Sequence, residues 1–397
     1  MTQHRSALEG DERWARVAWS FLAEPRSPTL VRLFGEDGAA ATLARLRAGR
    51  VDKREGWSAR LPDLDVDALR HATQRQGISV LVPGDDGWPD GVDRLTHPPY
   101  CLYVRGDADL RVLTERSVAV VGSRAASEYG LRVAADLADG LVARGWTVVS
   151  GAAYGIDAAA HRAALAGDGS TVAVLACGVD RAYPATHRGL LDTVARTGAV
   201  VSEVPPGCAP YRSRFLARNR LIAALARATV VVEASLRSGS LTTAREARFL
   251  HLPVGAVPGP VTSMASAGCH ALVRETDAVL VTDAGEVLEL AGRIGEDLAP
   301  PPDRPARSRE DDLDSTSYGV WSAVPVRGGI TTDRLVSAAG VPAGRLVGIL
   351  AALEADGLVT RQEGRWRKAS ASARDDDGLL GELARCDVQG RCPSAGR

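Results

Sequence analysis

At 397 residues the chain is long enough for two or three domains with separate cores, and 45% hydrophobic with 24% charged residues is the balance of a globular protein. A net charge of −1 excludes global attraction to nucleic acid, so any such binding must come from local patches. No run of 18 apolar residues occurs, and residues 1–20 are too charged for a secretory signal, so no membrane helix is expected and a reducing cytoplasm is the expected location.

Of 48 basic residues only Lys53 and Lys368 are lysine. Genomic base composition explains that bias, and arginine is also the side chain that makes bidentate phosphate contacts and stacks on bases. Cys101, Cys177, Cys208 and Cys269 stand apart in or near apolar segments and read as small buried residues. Cys386 and Cys392 form one loose pair, too few for a zinc site.

Residues 1–75 read as a small helical domain of the helix–hairpin–helix type. Trp14, Val17, Ala18, Phe21 and Leu22 share one face of a helix over 11–24, and 30–35 and 41–48 give two shorter helices. Glu36 and Asp37 occupy the turn between them, which favours a structural or partner-binding role over a grip on DNA backbone. Residues 76–106 are strand-like with proline-bearing turns.

Apolar runs at 117–121, 147–150, 171–176, 199–202, 229–233, 254–257 and 278–281 alternate with helical stretches such as 130–144, 158–166 and 219–227. Nearly continuous apolar strands separated by helices predict an α/β fold over 76–295: a Rossmann-like, doubly wound parallel sheet covered on both faces. Residues 296–314 are proline-rich and charged, a linker. Over 315–369, helices at 320–324, 332–339 and 343–356 precede a hairpin about Glu363-Gly364, the pattern of a winged helix. The tail, 370–397, is expected to be disordered.

The chemistry lies in turns that follow the strands of the sheet, where free N–H groups and helix ends suit phosphate. Gly122-Ser123-Arg124 brings a guanidinium to the sheet edge, and Gly151 to Asp157 forms a second possible cradle unless Asp157 only caps the next helix. Tyr211 to Arg220 carries Arg212, Arg214, Arg218 and Arg220 without an acid, interleaved with Tyr211 and Phe215. Arginines on phosphates with aromatics under bases are what a sequence-tolerant single-strand site requires, while a solvated basic helix start is the plainer alternative. Asn219 is placed to cap the helix that follows. Ser238-Gly239-Ser240 offers hydroxyls and N–H groups at the start of a helix over 241–251. His161 and His187 have no neighbouring metal ligands and read as polar loop or helix residues. No Walker lysine, serine nucleophile elbow or metal-ligand cluster occurs, nor a dinucleotide fingerprint after the first strand, so no cofactor is expected.

The ordered series Gly122-Ser123-Arg124, Tyr129-Gly130, Val149 to Asp157, His161, Gly178-Val179-Asp180, Tyr183-Pro184, Ser202-Glu203, Pro206-Gly207, Arg218-Asn219-Arg220, Val232-Glu233-Ala234, Ser238 to Leu241 and Val257-Pro258-Gly259 resembles the DNA-processing protein A (DprA/Smf) family over roughly 75–295. The resemblance implies a non-enzymatic mediator that binds single-stranded DNA, dimerises through the Rossmann-like domain and helps load RecA recombinase in natural transformation. It also implies that Arg124, Phe215, Arg218, Asn219 and Arg220 line the DNA pocket. The chain departs from the family at Leu216-Ala217, His187 and Cys269-His270.

Two other functions stay open. Gly239 to Glu246 lies in register with the turn of nucleoside-monophosphate phosphoribohydrolases, with Ser240 and Thr242 in place of two glycines and Glu246 as the candidate acid or base. The winged helix suggests a transcription regulator, although Arg345 is the only base-reading cation on its recognition helix.

Overall fold

Helix α1 (Thr2–Leu22) sends buried side chains into two separate clusters. Trp19 enters an aromatic core with Trp57 and Phe34, ring centroids 5.1 and 6.0 Å away. Val17 packs instead with Ile78, Cys101 and Tyr103 at the antiparallel edge of the sheet. This double packing joins the helical segment to the sheet in one compact unit, residues 1–300; residues 301–397 form a second. The computed structural model describes residues 2–51, 55–293, 297 and 309–369, so the expected tail and most of the expected linker lie outside the described residues.

Helix α2 (Pro28–Arg47) combines the two expected short helices and bends at Gly38, φ 81°. Beyond the bend, the carboxylate of Glu12 accepts the N–H groups of Ala39 and Ala40, both at 2.9 Å, replacing a local cap. Helices α3 (Trp57–Arg60) and α4 (Val66–Arg75) complete this part.

The main sheet has nine strands: β1 (Ile78–Leu81), β2 (Leu102–Arg105), β3 (Ser117–Val121), β4 (Thr147–Ser150), β5 (Thr171–Val174), β6 (Ala199–Ser202), β7 (Ala228–Val231), β8 (Val254–Ala256) and β9 (Val279–Leu280). Their order is β1-β2-β6-β5-β4-β3-β7-β8-β9. Strands β3 to β9 run parallel, while β2 pairs antiparallel with both β1 and β6. Helices α5 (Leu110–Glu115), α6 (Glu128–Val142), α7 (Ile156–Ala166), α8 (Arg188–Thr197), α9 (Arg212–Ala224), α10 (Ser240–Phe249), α11 (Ala267–Glu275) and α12 (Ala284–Ala291) lie between or beside them. Ala119 and Val121 bury on one face of β3, Val118 and Val120 on the other, as a doubly covered parallel strand requires. From β3 the chain winds through β4 and β5 to β6, then returns across α9 to β7 on the other side of β3. The order therefore reverses between β3 and β7, where doubly wound sheets form a crevice at the carboxyl ends of their strands.

In the second unit, α13 (Ser315–Ala323), α14 (Thr332–Ala339) and α15 (Ala343–Ala355) pack beside a small antiparallel sheet of β10 (Ile330–Thr331), β11 (Val359–Gln362) and β12 (Arg365–Lys368), ordered β10-β12-β11. This is the expected winged-helix arrangement, with Trp366 on the wing buried against Leu335, Leu346 and Leu350. Among the described residues no single helix is long and apolar enough to cross a membrane.

Two sequence expectations need correction, at Asn219 and at Cys208. The basic stretch after Tyr211 is helix from Arg212 onward, so Asn219 sits inside α9 and caps nothing. His161 lies in α7 and His187 in the loop before α8, as expected, and both are buried with polar partners: Nδ1 of His161 meets Thr171 Oγ1 at 2.7 Å, and Nδ1 of His187 meets the Ala152 carbonyl at 2.9 Å. Cys208 is only partly buried, unlike Cys101, Cys177 and Cys269.

Candidate nucleic-acid interface

At the reversal point lies a cleft of about 800 Å³, lined by Gly122, Ser123 and Arg124 after β3, by Phe215, Arg218 and Asn219 of α9, and by Ser238, Gly239 and Ser240 before α10. Helical geometry explains what α9 contributes. Residues 215, 218, 219 and 222 fall at i, i+3, i+4 and i+7, one stripe of the helix, and all four line the cleft. Arg220 is two positions past Arg218, about 200° around the helix, and cannot share that stripe. It is turned into the protein, where its guanidinium donates to the buried carboxylate of Glu203. A phosphate contact from Arg220 is therefore set aside. Gly151 also stays off the cleft surface and backs Arg218 instead, because a Cβ there would overlap the guanidinium.

Arg218 forms the floor. Its Nη1 donates to the Val174 carbonyl at 2.9 Å, while its buried Nε has no partner among the described residues. Burial brings its pKa down to about 10; the charge of Arg124 acts in the same direction, and Asp157 opposes both. Asp157 is itself buried, and its pKa is raised by that burial against the pull of Arg218. Its carboxylate accepts the N–H groups of Gly151 (3.2 Å) and Ala153 (3.3 Å), which fixes the turn after β4 rather than capping α7. Gly155, φ 76°, lets this turn cross the Ser123 and Arg124 backbone, which a Cβ would strike.

Arg124 is exposed and joins no ion pair among the described residues; its Cζ lies 5.0 Å from the centroid of the Phe215 ring. Asn219 Nδ2 donates to the Gly239 carbonyl at 3.2 Å, tying the serine turn to α9, and the hydroxyls of Ser238 and Ser240 are 2.7 Å apart. The cleft thus combines four arginines, at 124, 212, 218 and 237, with several serine and threonine hydroxyls and the start of a ten-residue helix, opposed by the buried carboxylate of Asp157. Such a site takes phosphate. Sequence reasoning missed Arg237 and Tyr183 as lining residues. An arginine directly before a serine turn, and a tyrosine in a loop after a strand, were the available signals.

The α1–α2 turn grips the helices that carry the cleft. Glu24 accepts from Arg214 Nε at 2.8 Å and Nη2 at 2.7 Å, and these bonds hold the Glu24 pKa below its usual value. Arg26 reaches Glu246 on α10 at 2.9 Å. Glu246 is not among the residues lining the cleft. A second cleft, about 560 Å³, lies toward the opposite ends of the strands; its Arg111 pairs with Asp90 and its Arg227 bonds the Glu115 carbonyl.

The fold and cleft define a doubly wound α/β protein with an arginine-floored cleft at its strand-order reversal. Among the described residues no group of three or more His, Cys, Asp or Glu is placed to hold a metal. The model of the family DNA recombination-mediator protein A matches residues 79–292. The chain belongs to that family, DprA/Smf. It is 45% identical to a putative DNA processing protein DprA of Mycobacterium tuberculosis over 373 residues, 90% of this chain and 95% of that one. The X-ray structure of DprA from Streptococcus pneumoniae is similar at 38% identity and TM-score 0.55, over 60% of this chain and 82% of that one. DNA processing protein A of Helicobacter pylori, whose structure concerns its single-stranded DNA binding mode, is 30% identical with TM-score 0.48, over 53% of this chain and 93% of that one.

Proposed function

We propose that this chain is a single-stranded DNA-binding recombination mediator. Arg124 and Arg218 take phosphates at the sheet reversal, the Ser238–Ser240 turn takes a further phosphate oxygen, and Phe215 supplies an aromatic wall. The observation that carries this is the exposed Arg124 guanidinium, free of carboxylates and resting on Phe215 at the mouth of a cleft floored by a buried arginine. Cations interleaved with aromatics hold a flexible strand without reading its sequence. Family membership supports the mediator role: as a homodimer in the cytoplasm, the protein protects incoming DNA and hands it to RecA recombinase in natural transformation. Catalysis is no part of this role. Glu246, the candidate acid or base of the hydrolase reading, spends its carboxylate on Arg26.

Fluorescence anisotropy of labelled oligo-dT across a salt series tests the proposal. Binding is expected to be tight at low salt, to weaken steadily as salt rises, and to drop sharply in Arg124→Ala. Absence of binding at low salt ends it. Binding that survives the substitution moves the strand elsewhere on the protein.

A further inference from the structure

The wall at Phe215 is partly occupied by the protein itself. Arg124 covers one side of the ring, and Tyr183 lies against it with centroids 5.4 Å apart at 54°. The open aromatic surface is therefore on Tyr183, which is 45% exposed and whose hydroxyl makes no hydrogen bond among the described residues. Next along the sheet edge comes Tyr154, 49% exposed. Its hydroxyl meets Thr186 Oγ1 at 2.9 Å, and its ring stands edge-on to the buried His187, 4.9 Å away. Both tyrosines are thus fixed by their neighbours yet present free faces, on the loops that follow β5 and β4.

The loop after β5 and the start of α8 carry charge for a backbone. Arg181 and Arg188 are exposed, and neither forms an ion pair among the described residues. The nearby Asp180 is already committed, its carboxylate accepting the Gly207 N–H at 2.9 and 3.0 Å.

We propose that Tyr183 and then Tyr154 form a stacking platform that carries single-stranded DNA out of the cleft across the ends of β4 and β5, with Arg181 and Arg188 on its phosphates. This inference rests on the single-strand role proposed above and gives the strand a direction. Unpaired bases have free faces to lay on tyrosine, whereas those of a duplex are already stacked on one another, so the platform selects single strands.

The test uses the full chain with short and long oligo-dT, and with oligonucleotides carrying 2-aminopurine at successive positions. Wild type is expected to gain affinity with length and to quench 2-aminopurine beyond the cleft. Tyr183→Ala is expected to lose about tenfold in affinity for long oligonucleotides, and that quenching, with an unchanged salt slope, while Tyr183→Phe keeps both. Tyr183→Leu retains bulk against Phe215 and guards against a packing defect; it should behave as alanine does. Arg181→Ala/Arg188→Ala should instead flatten the salt slope. Wild-type affinity and quenching in Tyr183→Ala, or equal loss in Tyr183→Phe, overturns the platform and leaves the cleft standing. Failure of wild type to bind any oligo-dT at low salt removes the single-strand role itself.

Discussion

Arg220 and Glu203 form an ion pair inside the protein, with side chains 2% and 5% exposed. Burial raises the Glu203 pKa, and the neighbouring guanidinium opposes that rise by favouring the charged carboxylate. The Nε and Nη1 of Arg220 and the Oε1 of Glu203 have no partner among the described residues, so neither side of the pair is fully satisfied.

Removing one partner leaves the other charge buried alone, which costs about 3–5 kcal/mol. Arg220→Ala or Glu203→Ala should therefore lower the midpoint of urea unfolding strongly, while the folded fraction keeps its affinity for oligo-dT. Arg124→Ala should do the reverse. A stable Arg220→Ala with lost affinity would show that this side chain reaches DNA after all.

Gly151 tests the floor of the cleft. Its alanine variant pushes on the Arg218 guanidinium and breaks the bond to the Val174 carbonyl. Overpacking of this kind costs about 1–3 kcal/mol. Affinity for oligo-dT should fall as well, because Arg218 is displaced rather than removed. Anisotropy and urea unfolding on one preparation check both effects.

His161 sets an acid limit. Thr171 spends its hydroxyl proton on the Val148 carbonyl, so Nδ1–H of His161 donates to Thr171 and Nε2 is left as a buried, unpartnered acceptor. Burial, with His187, Arg218 and Arg162 adding to it, takes the histidine pKa down to about 3 from 6.5. A depressed pKa means the unfolded chain binds the proton first. The stability contributed is present above pH 6.5 and is lost as pH falls toward 3, at no more than about 1.4 kcal/mol per pH unit. Urea midpoints of wild type and His161→Gln over that range should converge as the solution is acidified.

Glu246 separates binding from hydrolysis. Incubation with nucleoside monophosphates should release no free base, and Glu246→Gln should leave oligo-dT affinity within about twofold. Hydrogen exchange should quicken in residues 23–27, where Arg26 loses its partner. Base release that vanishes in the variant would restore the hydrolase.

The strands and their turns were legible because apolar runs such as Val118–Val121 have one plausible environment, a sheet covered on both sides. The β3–β7 adjacency was not legible, since local pattern carries no record of which strand lies beside which. The first half of helix α9, ahead of the expected stretch from 219, was hidden for a different reason. Charges at 212, 214, 218 and 220 fall around its circumference, so it shows no apolar face and reads as a basic turn. Its cations are tied to partners distant in sequence: Arg214 to Glu24, Arg220 to Glu203 and Arg218 to the Val174 carbonyl. The pocket was legible as a set of turns, but the division between Arg218 inside it and Arg220 outside it appears only once the helix is drawn.

Arg124 and Arg218 weigh on each other across the floor of the cleft, one exposed and one buried, with Asp157 as the carboxylate acting on Arg218. Arg218 also answers the buried carboxylate of Asp157, so its loss would leave that charge alone, whereas the exposed Arg124 has no such partner. Under the proposed function, a screen for heat resistance alone is therefore expected to relieve the repulsion at 124 rather than at 218, and its survivors to lose oligo-dT binding.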